Sequence, residues 1–368
     1  MSPRVEILLV AVTTAAACAL PGTFLVLRRV SMLSDAISHA ILPGIVIAFF
    51  MTGDLSSPLL ILGATLTGVL TAVLIEGLSR TRRVREDAAI GLVFPLLFSI
   101  GVILIARYAS GVHLDVDAVL LGELAFAPFN RMVLGGVDVG PKALWVMGTI
   151  LVINAAVIIT FFKEFKLSTF DPALAAALGF SPVMLHYVLM AAVSVTAVGA
   201  FDAVGSILVV ALIVGPPATA YLLTNRLSLM LVLSAAFGAA AALIGYAFAY
   251  AIDASIAGAM AGAVGVLFLG TWILAPDQGL LAAARRQRSQ RRRFAQQMLV
   301  IHLLHHEGSP EEAEECRPRH LEEHLRWNRE LADLAIRSAL RDRLVVQEGE
   351  LLRLTPTGRD LAREAMIA

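Results

Sequence analysis

Long apolar stretches with almost no charged residues dominate the first three quarters of this chain, and they restrict what it can fold into. A helix needs about 20 largely apolar residues to cross the hydrocarbon core of a bilayer. Of the 368 residues, 58% are hydrophobic and only 16% are charged, whereas roughly a quarter of the residues in soluble domains are charged. The sequence therefore predicts an all-α polytopic membrane protein rather than a single soluble domain.

The apolar stretches predict nine transmembrane helices, or eight if one of the shorter stretches does not span. These stretches lie near residues 5–27, 37–52, 58–78, 88–106, 143–162, 183–200, 204–223, 228–250 and 255–275. The segment 118–127 is interpreted as a re-entrant or surface helix.

Basic residues are unevenly distributed between the two alternating sets of loops. Nine belong to one set: Arg28, Arg29, Arg80, Arg82, Arg83, Arg85, Lys163, Lys166 and Arg226. Four belong to the other set: Arg4, Arg107, Arg131 and Lys142. Since cytoplasmic loops are enriched in arginine and lysine, the first set is predicted to be cytoplasmic. The C-terminus is then cytoplasmic and the N-terminus lies outside.

A change of composition after residue 283 predicts a second domain. The basic run 284–293 is typical of a segment at an anionic inner leaflet, and we interpret it as a linker between a transmembrane domain, 1–283, and a cytoplasmic domain, 294–368. Within that domain, helical patterns precede "VVQEGELLRLTP", which predicts a two-stranded hairpin. Helices followed by a small hairpin suggest a winged-helix-like α+β module.

Asp35 and His39 are ionisable residues at the start of a predicted span. Their spacing of four places both side chains on one helix face, and oxygen and nitrogen ligands suit Mn²⁺, Fe²⁺ or Zn²⁺. The alternative is an ion pair that only joins helices. Ionisable residues inside membrane segments usually mark an ion route, which favours the metal. One chain supplies two ligands, and two copies about a two-fold axis would supply four.

Proline and glycine interrupt two of the predicted spans. Pro43 and Gly44 follow the Asp35–His39 pair directly, and a proline in a span can kink the helix where a neighbour or a cavity satisfies the freed carbonyl. Gly215, Pro216 and Pro217 predict a second break, which is either a gate or a local packing feature.

Two further segments are candidates for contacts outside the bilayer. His113, Asp115 and Asp117 would share one face of a strand on the outer side; they form either a polar loop edge, or a metal entrance or docking surface for an extracellular protein. On the cytoplasmic side, the segment Asp171–Gly179 predicts a short helix that Asp171 caps, with Pro172 in its first turn and Gly179 at its end.

Four stretches together resemble the membrane permease subunits of ATP-binding-cassette (ABC) importers for manganese, zinc and iron. The stretches are "RRVSMLSDAISHAILPGIVIAFF", "HLDVDAVLLGELAFAP", "FDPALAAALGFSP" and "DAVGSILVVALIVGPPATAYLLTNRLS". The resemblance covers about residues 5–275, and "PPATAYLLT" and "LGEL" favour the manganese/iron branch. It implies a dimeric channel in which Asp35 and His39 contact the ion in transit. It also implies that Asp171, Pro172, Leu178 and Gly179 belong to a coupling helix that fits a groove of the ATPase.

The resemblance also implies a set of partners in a bacterial plasma membrane. These are a cytoplasmic ABC ATPase, an extracellular metal-binding protein, and a second permease, identical or related. The sequence has no G-x-x-x-x-G-K-[ST] motif for binding nucleotide phosphates, so we expect a transporter subunit rather than an enzyme. We expect Mn²⁺, or Fe²⁺ or Zn²⁺, as transported cargo, with no permanently bound cofactor.

The C-terminal segment carries its own candidate metal ligands. His302, His305, His306 and Glu307 lie within two helical turns, which is compatible either with a regulatory metal site or with a solvated polar face. The segment "LTPTGRDLAREA" resembles the DNA-binding domain of iron- and manganese-dependent repressors. However, residues 294–368 contain ten arginines, no lysines and fourteen acidic residues, which argues against nucleic-acid binding. A regulatory or protein-contact module is expected.

Two other functions are compatible with parts of the sequence. A secondary cation transporter would need several coupled carboxylates within its spans, and the candidates are mainly Asp35 and Glu76. A membrane-tethered metal-responsive regulator would need the spans only as an anchor, for which eight or nine helices are excessive.

Overall fold

The structure is a computed structural model that describes residues 2–53, 57–81, 83–108, 124–134, 137–318, 327 and 329–367. The chain divides into two compact units, residues 1–275 and 276–368. This division falls slightly before the change of composition at residue 283.

In its described residues, the first unit is a helical bundle with a small hairpin. Its helices are α1 (Pro3–Arg28), α2 (Met32–Ala40), α3 (Leu42–Thr52), α4 (Pro58–Arg80), α5 (Glu86–Tyr108), α6 (Lys142–Thr160), α7 (Phe162–Phe170), α8 (Pro172–Ala177), α9 (Pro182–Val204), α10 (Ser206–Tyr221), α11 (Leu227–Ile252) and α12 (Ile256–Leu274). A 3-10 turn, Leu124–Phe129, precedes the antiparallel strands β1 (Arg131–Leu134) and β2 (Val137–Pro141).

Eight helical segments in the described part of the chain are long and apolar enough to cross a membrane, which confirms the predicted multi-pass architecture. One of them combines α2 and α3 as Met32–Thr52, so the second span begins earlier than residue 37. The seventh predicted span, 204–223, is the shorter helix α10, with 16 residues.

Helix α1 lies at the centre of the first unit, where it packs against α6, α9, α10 and α11. Small residues line its middle, and a Cβ atom at Gly22 would lie only 2.0 Å from the carbonyl oxygen of Ile213 in α10. Small residues let helix backbones approach closely inside a membrane. The glycine at position 22 is therefore required by the contact between these two helices.

Hydrogen bonds between side chains join α1 and its partners to one another. Asn154 of α6 donates from Nδ2 to Thr196 Oγ1 of α9 at 2.7 Å and to the carbonyl of Ala17 in α1 at 3.3 Å. Thr23 Oγ1 lies 3.2 Å from Ser234 Oγ of α11. All of these side chains are buried. The bonds therefore satisfy polar groups that would find no hydrogen-bond partner in lipid.

The predicted break at Pro43 is present as a short interruption between α2 and α3. Ile41 separates the two helices, and Pro43 lies in the first turn of α3, where its missing N–H leaves no hydrogen bond unmade. Directly after it, a Cβ at Gly44 would lie 2.2 Å from the carbonyl oxygen of Gly63 in α4. Glycines on both sides therefore bring α3 against α4 beside the break.

The prediction of a helix break at Gly215, Pro216 and Pro217 is wrong, because α10 continues through all three residues. Pro217 cannot donate to the carbonyl of Ile213, but that oxygen faces Gly22 of α1, and Cα–H···O contacts recur between packed helices. Thr219 Oγ1 also donates to the Gly215 carbonyl at 2.8 Å. The Ile213 carbonyl thus finds a neighbour in α1, and the chain turns instead at Gly205, whose φ is +79°.

The second unit contains helices α13 (Leu280–His306), α14 (Glu312–Glu315), α15 (Arg329–Arg341) and α16 (Pro356–Ile367), with strands β3 (Val345–Glu348) and β4 (Leu351–Leu354) between the last two. The strands form the predicted antiparallel hairpin. Residues 284–293, predicted to be a linker, lie inside α13. Apolar residues of α13, α15 and the hairpin form a separate core. The winged-helix assignment stays a prediction.

We predict that Gly22→Ala destabilises the first unit, because the added methyl group would overlap the Ile213 carbonyl. Overpacking of this kind costs about 1–3 kcal/mol, so thermal unfolding in detergent should begin several degrees lower. The matched control is Gly77→Ala in α4, where a Cβ meets no atom within 4 Å. Equal thermal stability of the two variants would contradict this account of the α1–α10 contact.

Candidate functional site

Asp35 and His39 lie on one face of α2, as their spacing predicts. His39 Nε2 lies 3.6 Å from Asp35 Oδ1, and the two side chains are 29% and 51% exposed, respectively. The distance is longer than an ordinary hydrogen bond, and the exposure leaves room for another atom beside the pair. The arrangement offers one imidazole nitrogen and one carboxylate to a cation.

The surroundings of the pair combine polar and aromatic groups. The ring of His39 lies 5.5 Å from that of Phe94 in α5, in a tilted arrangement. On the buried face of α2, Ser38 Oγ donates to the Ser34 carbonyl at 2.8 Å and Ser34 Oγ to the Ser31 carbonyl at 2.7 Å. Backbone carbonyls thus satisfy the buried serine hydroxyls, while the ionisable groups remain accessible.

Asp35 and His39 provide half of the four ligands that transition-metal sites commonly use. In the described residues, a cluster of three or more potential metal ligands occurs only in the second unit. Within the described part of the chain, no third potential ligand joins Asp35 and His39 in such a cluster.

The segment Asp171–Gly179 forms the short capped helix that the sequence predicts. Asp171 Oδ1 accepts a hydrogen bond from the Leu174 N–H at 2.9 Å, Pro172 begins α8, and Gly179 has a φ of +87°, a left-handed conformation that favours glycine. Two of its leucines, Leu174 and Leu178, are 46% and 61% exposed. The helix therefore presents an apolar surface beyond the bundle.

A polar chain that the sequence did not predict links three spans to the helix before α8. Arg28 of α1 donates to Ser168 Oγ of α7 at 3.0 Å, and its Nη1 lies 3.4 Å from His186 Nδ1 of α9. Because arginine is only a donor, Nδ1 accepts, and the ring proton lies on Nε2, 3.7 Å from Glu76 Oε2 of α4. His186 thus lies between a cation and a carboxylate.

The predicted outer candidates His113, Asp115 and Asp117 lie outside the described residues. Farther along the chain from these candidates, Arg131 of β1 forms ion pairs with buried Glu6 of α1, at 3.1 Å, and with Asp138 of β2. Hydrogen bonds from the Gly140 N–H and from Arg131 hold the pKa of Asp138 below its usual value. This cluster attaches the hairpin to the start of α1.

The C-terminal candidates do not come together as the set that the sequence suggested. Glu307 pairs with Arg359 of α16, with Nε–Oε1 at 2.9 Å, and this pairing lowers the pKa of Glu307. His302 and His306 instead lie beside Glu315, which sequence spacing could not reveal because a turn intervenes. Burial raises the pKa of the neighbouring Cys316 thiol to about 11, so that thiol is protonated at neutral pH.

Comparisons with known proteins agree with the arrangement of the first unit. The model of the ABC 3 transport family matches residues 4–275. The zinc transport system membrane protein TroD of Treponema pallidum (strain Nichols) is 45% identical over 358 residues, which cover 97% of this chain and 97% of that protein. That match therefore extends through most of the second unit.

Two further similarities are confined to about three quarters of the chain. The manganese transport system membrane protein MntD of Bacillus subtilis (strain 168) is 47% identical over 281 residues, covering 76% of this chain and 95% of that protein. The solved structure of PsaBC from Streptococcus pneumoniae in complex with Fab has a TM-score of 0.62 at 30% identity, and the match covers 74% of this chain and 92% of that one. The chain is a multi-pass membrane protein that belongs to the ABC 3 transport family.

Proposed function

We propose that this chain is the membrane permease subunit of an ABC importer for divalent transition-metal ions, with manganese as the first candidate cargo and iron or zinc as alternatives. Family membership and relatives that are named as manganese and zinc transport proteins support this function. Because both metals occur among those names, the relatives alone do not select the ion.

The observation that carries the proposal is the Asp35–His39 pair in the span Met32–Thr52. Its two ligand types suit Mn²⁺, Fe²⁺ or Zn²⁺, and its accessible position beside a helix interruption resembles the broken helices of transporter binding sites. At 1.5 Å per residue, His39 lies about 10 Å along the span from Met32. An ion held there would lie well inside the bilayer.

A second permease would complete the ligand set. Two copies of the pair about a two-fold axis offer two imidazoles and two carboxylates, which is enough for one transition-metal ion. The same geometry is available from a related permease that carries an equivalent pair. We therefore propose a dimer, identical or mixed, as the transporting unit.

The energy for transport would come from a separate ATPase that docks at α8. The capped helix holds Leu174 and Leu178 exposed, and the Arg28 chain ties the preceding helix α7 to α1, α9 and α4. A movement of α8 would thus reach the spans through packed and charge-paired groups. The proposed delivery partner outside is an extracellular metal-binding protein, and the second unit would lie in the cytoplasm.

The ion route can be tested by substitution of the pair. In proteoliposomes that contain the permease with its ATPase and binding protein, Asp35→Asn and His39→Gln should each lower Mn²⁺ uptake by more than roughly tenfold, since even outer-sphere losses often cost that much. Met32→Ala, an exposed change on the same helix, is the control. Uptake close to wild type by the double variant would remove the pair from the route, and parallel Fe²⁺ and Zn²⁺ assays rank the cargo.

The docking role of α8 predicts that Leu178→Asp reduces association with the ATPase. Burial of a leucine contributes about 1.5–3 kcal/mol, so its loss should weaken binding by at least tenfold. Leu178→Met, which preserves the apolar surface, is the matched control. The measurement is co-purification of the ATPase with the detergent-solubilised permease. Unchanged co-purification and transport by Leu178→Asp would exclude this docking surface.

The proposed orientation can be measured by cysteine labelling. In a background with Ser at positions 18 and 316, a membrane-impermeant maleimide should label Leu178→Cys only in inverted vesicles. Phe129→Cys, in the exposed 3-10 turn, should be labelled only in right-side-out vesicles. The reversed labelling pattern would mean that the charge-based orientation is wrong.

A further inference from the structure

The second unit contains a buried cluster that the transport function does not use. His302 and His306 of α13 and Glu315 of α14 each bring one potential ligand atom within 4.8 Å of the others. His302 and Glu315 are only 7% and 8% exposed. Burial of ionisable side chains is costly, so their presence in the core of a small unit needs a physical reason.

The local fold holds these side chains together. His302 and His306 are four residues apart on α13, and their ring centroids are 4.8 Å apart. The chain then turns at Gly308, whose φ is +77° and whose N–H donates to Glu312 Oε2 at 2.8 Å. This turn directs α14 back along α13, so that Glu315 faces the histidines.

The end of α14 is fixed from the opposite side. The N–H of Leu352 in β4 donates to the Cys316 carbonyl at 3.0 Å. Cys316 is buried in the same core as α13 and the hairpin. Glu315 is therefore held between the turn at Gly308 on one side and the backbone hydrogen bond of Cys316 on the other.

The distances are somewhat longer than those of a closed metal site. His302 Nε2 lies 3.9 Å from Glu315 Oε2 and donates to the Glu315 carbonyl oxygen at 3.2 Å, so a metal bound through this nitrogen would replace its proton and that hydrogen bond. Metal–ligand bonds of about 2.0–2.2 Å place two tetrahedral ligands about 3.4 Å apart. The distance from His302 Nε2 to Glu315 Oε2 thus exceeds this value by about half an ångström. The ligand atoms of all three side chains lie within 4.8 Å of one another, so an ion would have to draw them together by side-chain rotation.

We propose that His302, His306 and Glu315 bind a divalent transition-metal ion at a site separate from Asp35 and His39. Two imidazoles and one carboxylate are typical ligands of Zn²⁺ and Fe²⁺, whereas Mg²⁺ and Ca²⁺ favour oxygen alone. Glu311, with Oε2 at 3.9 Å from His306 Nδ1, adds negative charge nearby. Among the sequence candidates, Glu307 is paired with Arg359 instead.

Metal at this site would connect two parts of the second unit. The ion would tie α13 to the turn and helix that follow it, so its binding would rigidify the segment Gly308–Cys316. The site would thereby make the folding stability of this unit depend on the metal concentration around it. This inference does not rest on the transport function, since the ligands belong wholly to the second unit.

The test uses the full-length chain in detergent with Asp35→Ala and His39→Ala, so that the first pair cannot contribute. Co²⁺ is the probe, because its visible absorption reports its coordination. We expect one Co²⁺ per chain in this background. His306→Gln and Glu315→Gln should weaken Co²⁺ binding by more than the roughly 10- to 100-fold that loss of an outer-sphere partner costs.

The matched control is His305→Ala, which removes the neighbouring histidine of the same helix and should leave Co²⁺ binding unchanged. Circular dichroism of each variant checks that the helices persist. Absence of Co²⁺ binding in the background protein would overturn the site. It would also be overturned if folded His306→Gln and Glu315→Gln variants bound Co²⁺ as tightly as the background protein. A failure of the proposed role of Asp35 and His39 in transport would be seen in a separate measurement, as normal metal uptake by the variants at these two positions.

Discussion

Close approach of helix backbones around α1 is the contact on which the first unit depends. Lipid tails are as apolar as leucine, so burial of apolar side chains gives little drive for helices to associate in a membrane. Packing and interhelical hydrogen bonds must supply the association instead. At Gly22, the absence of a side chain admits the carbonyl of Ile213, which Pro217 leaves without its usual donor. One glycine thus joins two helices and satisfies a backbone group.

The same requirement explains where polar groups are tolerated. Asn154, Thr23 and Thr196 are buried and form hydrogen bonds between helices, so they stabilise the bundle without contact with water. Asp35 and His39 differ because they are only partly buried and lie farther apart than a hydrogen bond. That contrast within one bundle separates groups whose polar atoms are used in contacts between helices from the pair that we propose to receive an ion.

The sequence predicted features that depend on local spacing. The apolar stretches predicted the spans, and the interval between Asp35 and His39 predicted their shared helix face. Asp171 and Gly179 predicted the ends of the segment around α8, because helix caps act within a few residues. Features that depend on distant neighbours were not predictable. Pro216 lies inside a helix that packs against α1, a distant segment of the chain, and Glu315 reaches His302 across a turn. The polar chain through Arg28 and His186 joins residues more than a hundred positions apart in sequence.

The length of α10 has a consequence for the bilayer itself. Sixteen residues extend about 24 Å at 1.5 Å per residue, which is less than the roughly 30 Å of a hydrocarbon core. Hydrophobic mismatch of this kind is relieved by local thinning of the membrane, by flanking side chains that reach toward the interface, or by packing against other helices. Because α10 packs against α1, α11 and α12, the surrounding protein shares that deficit with the lipid.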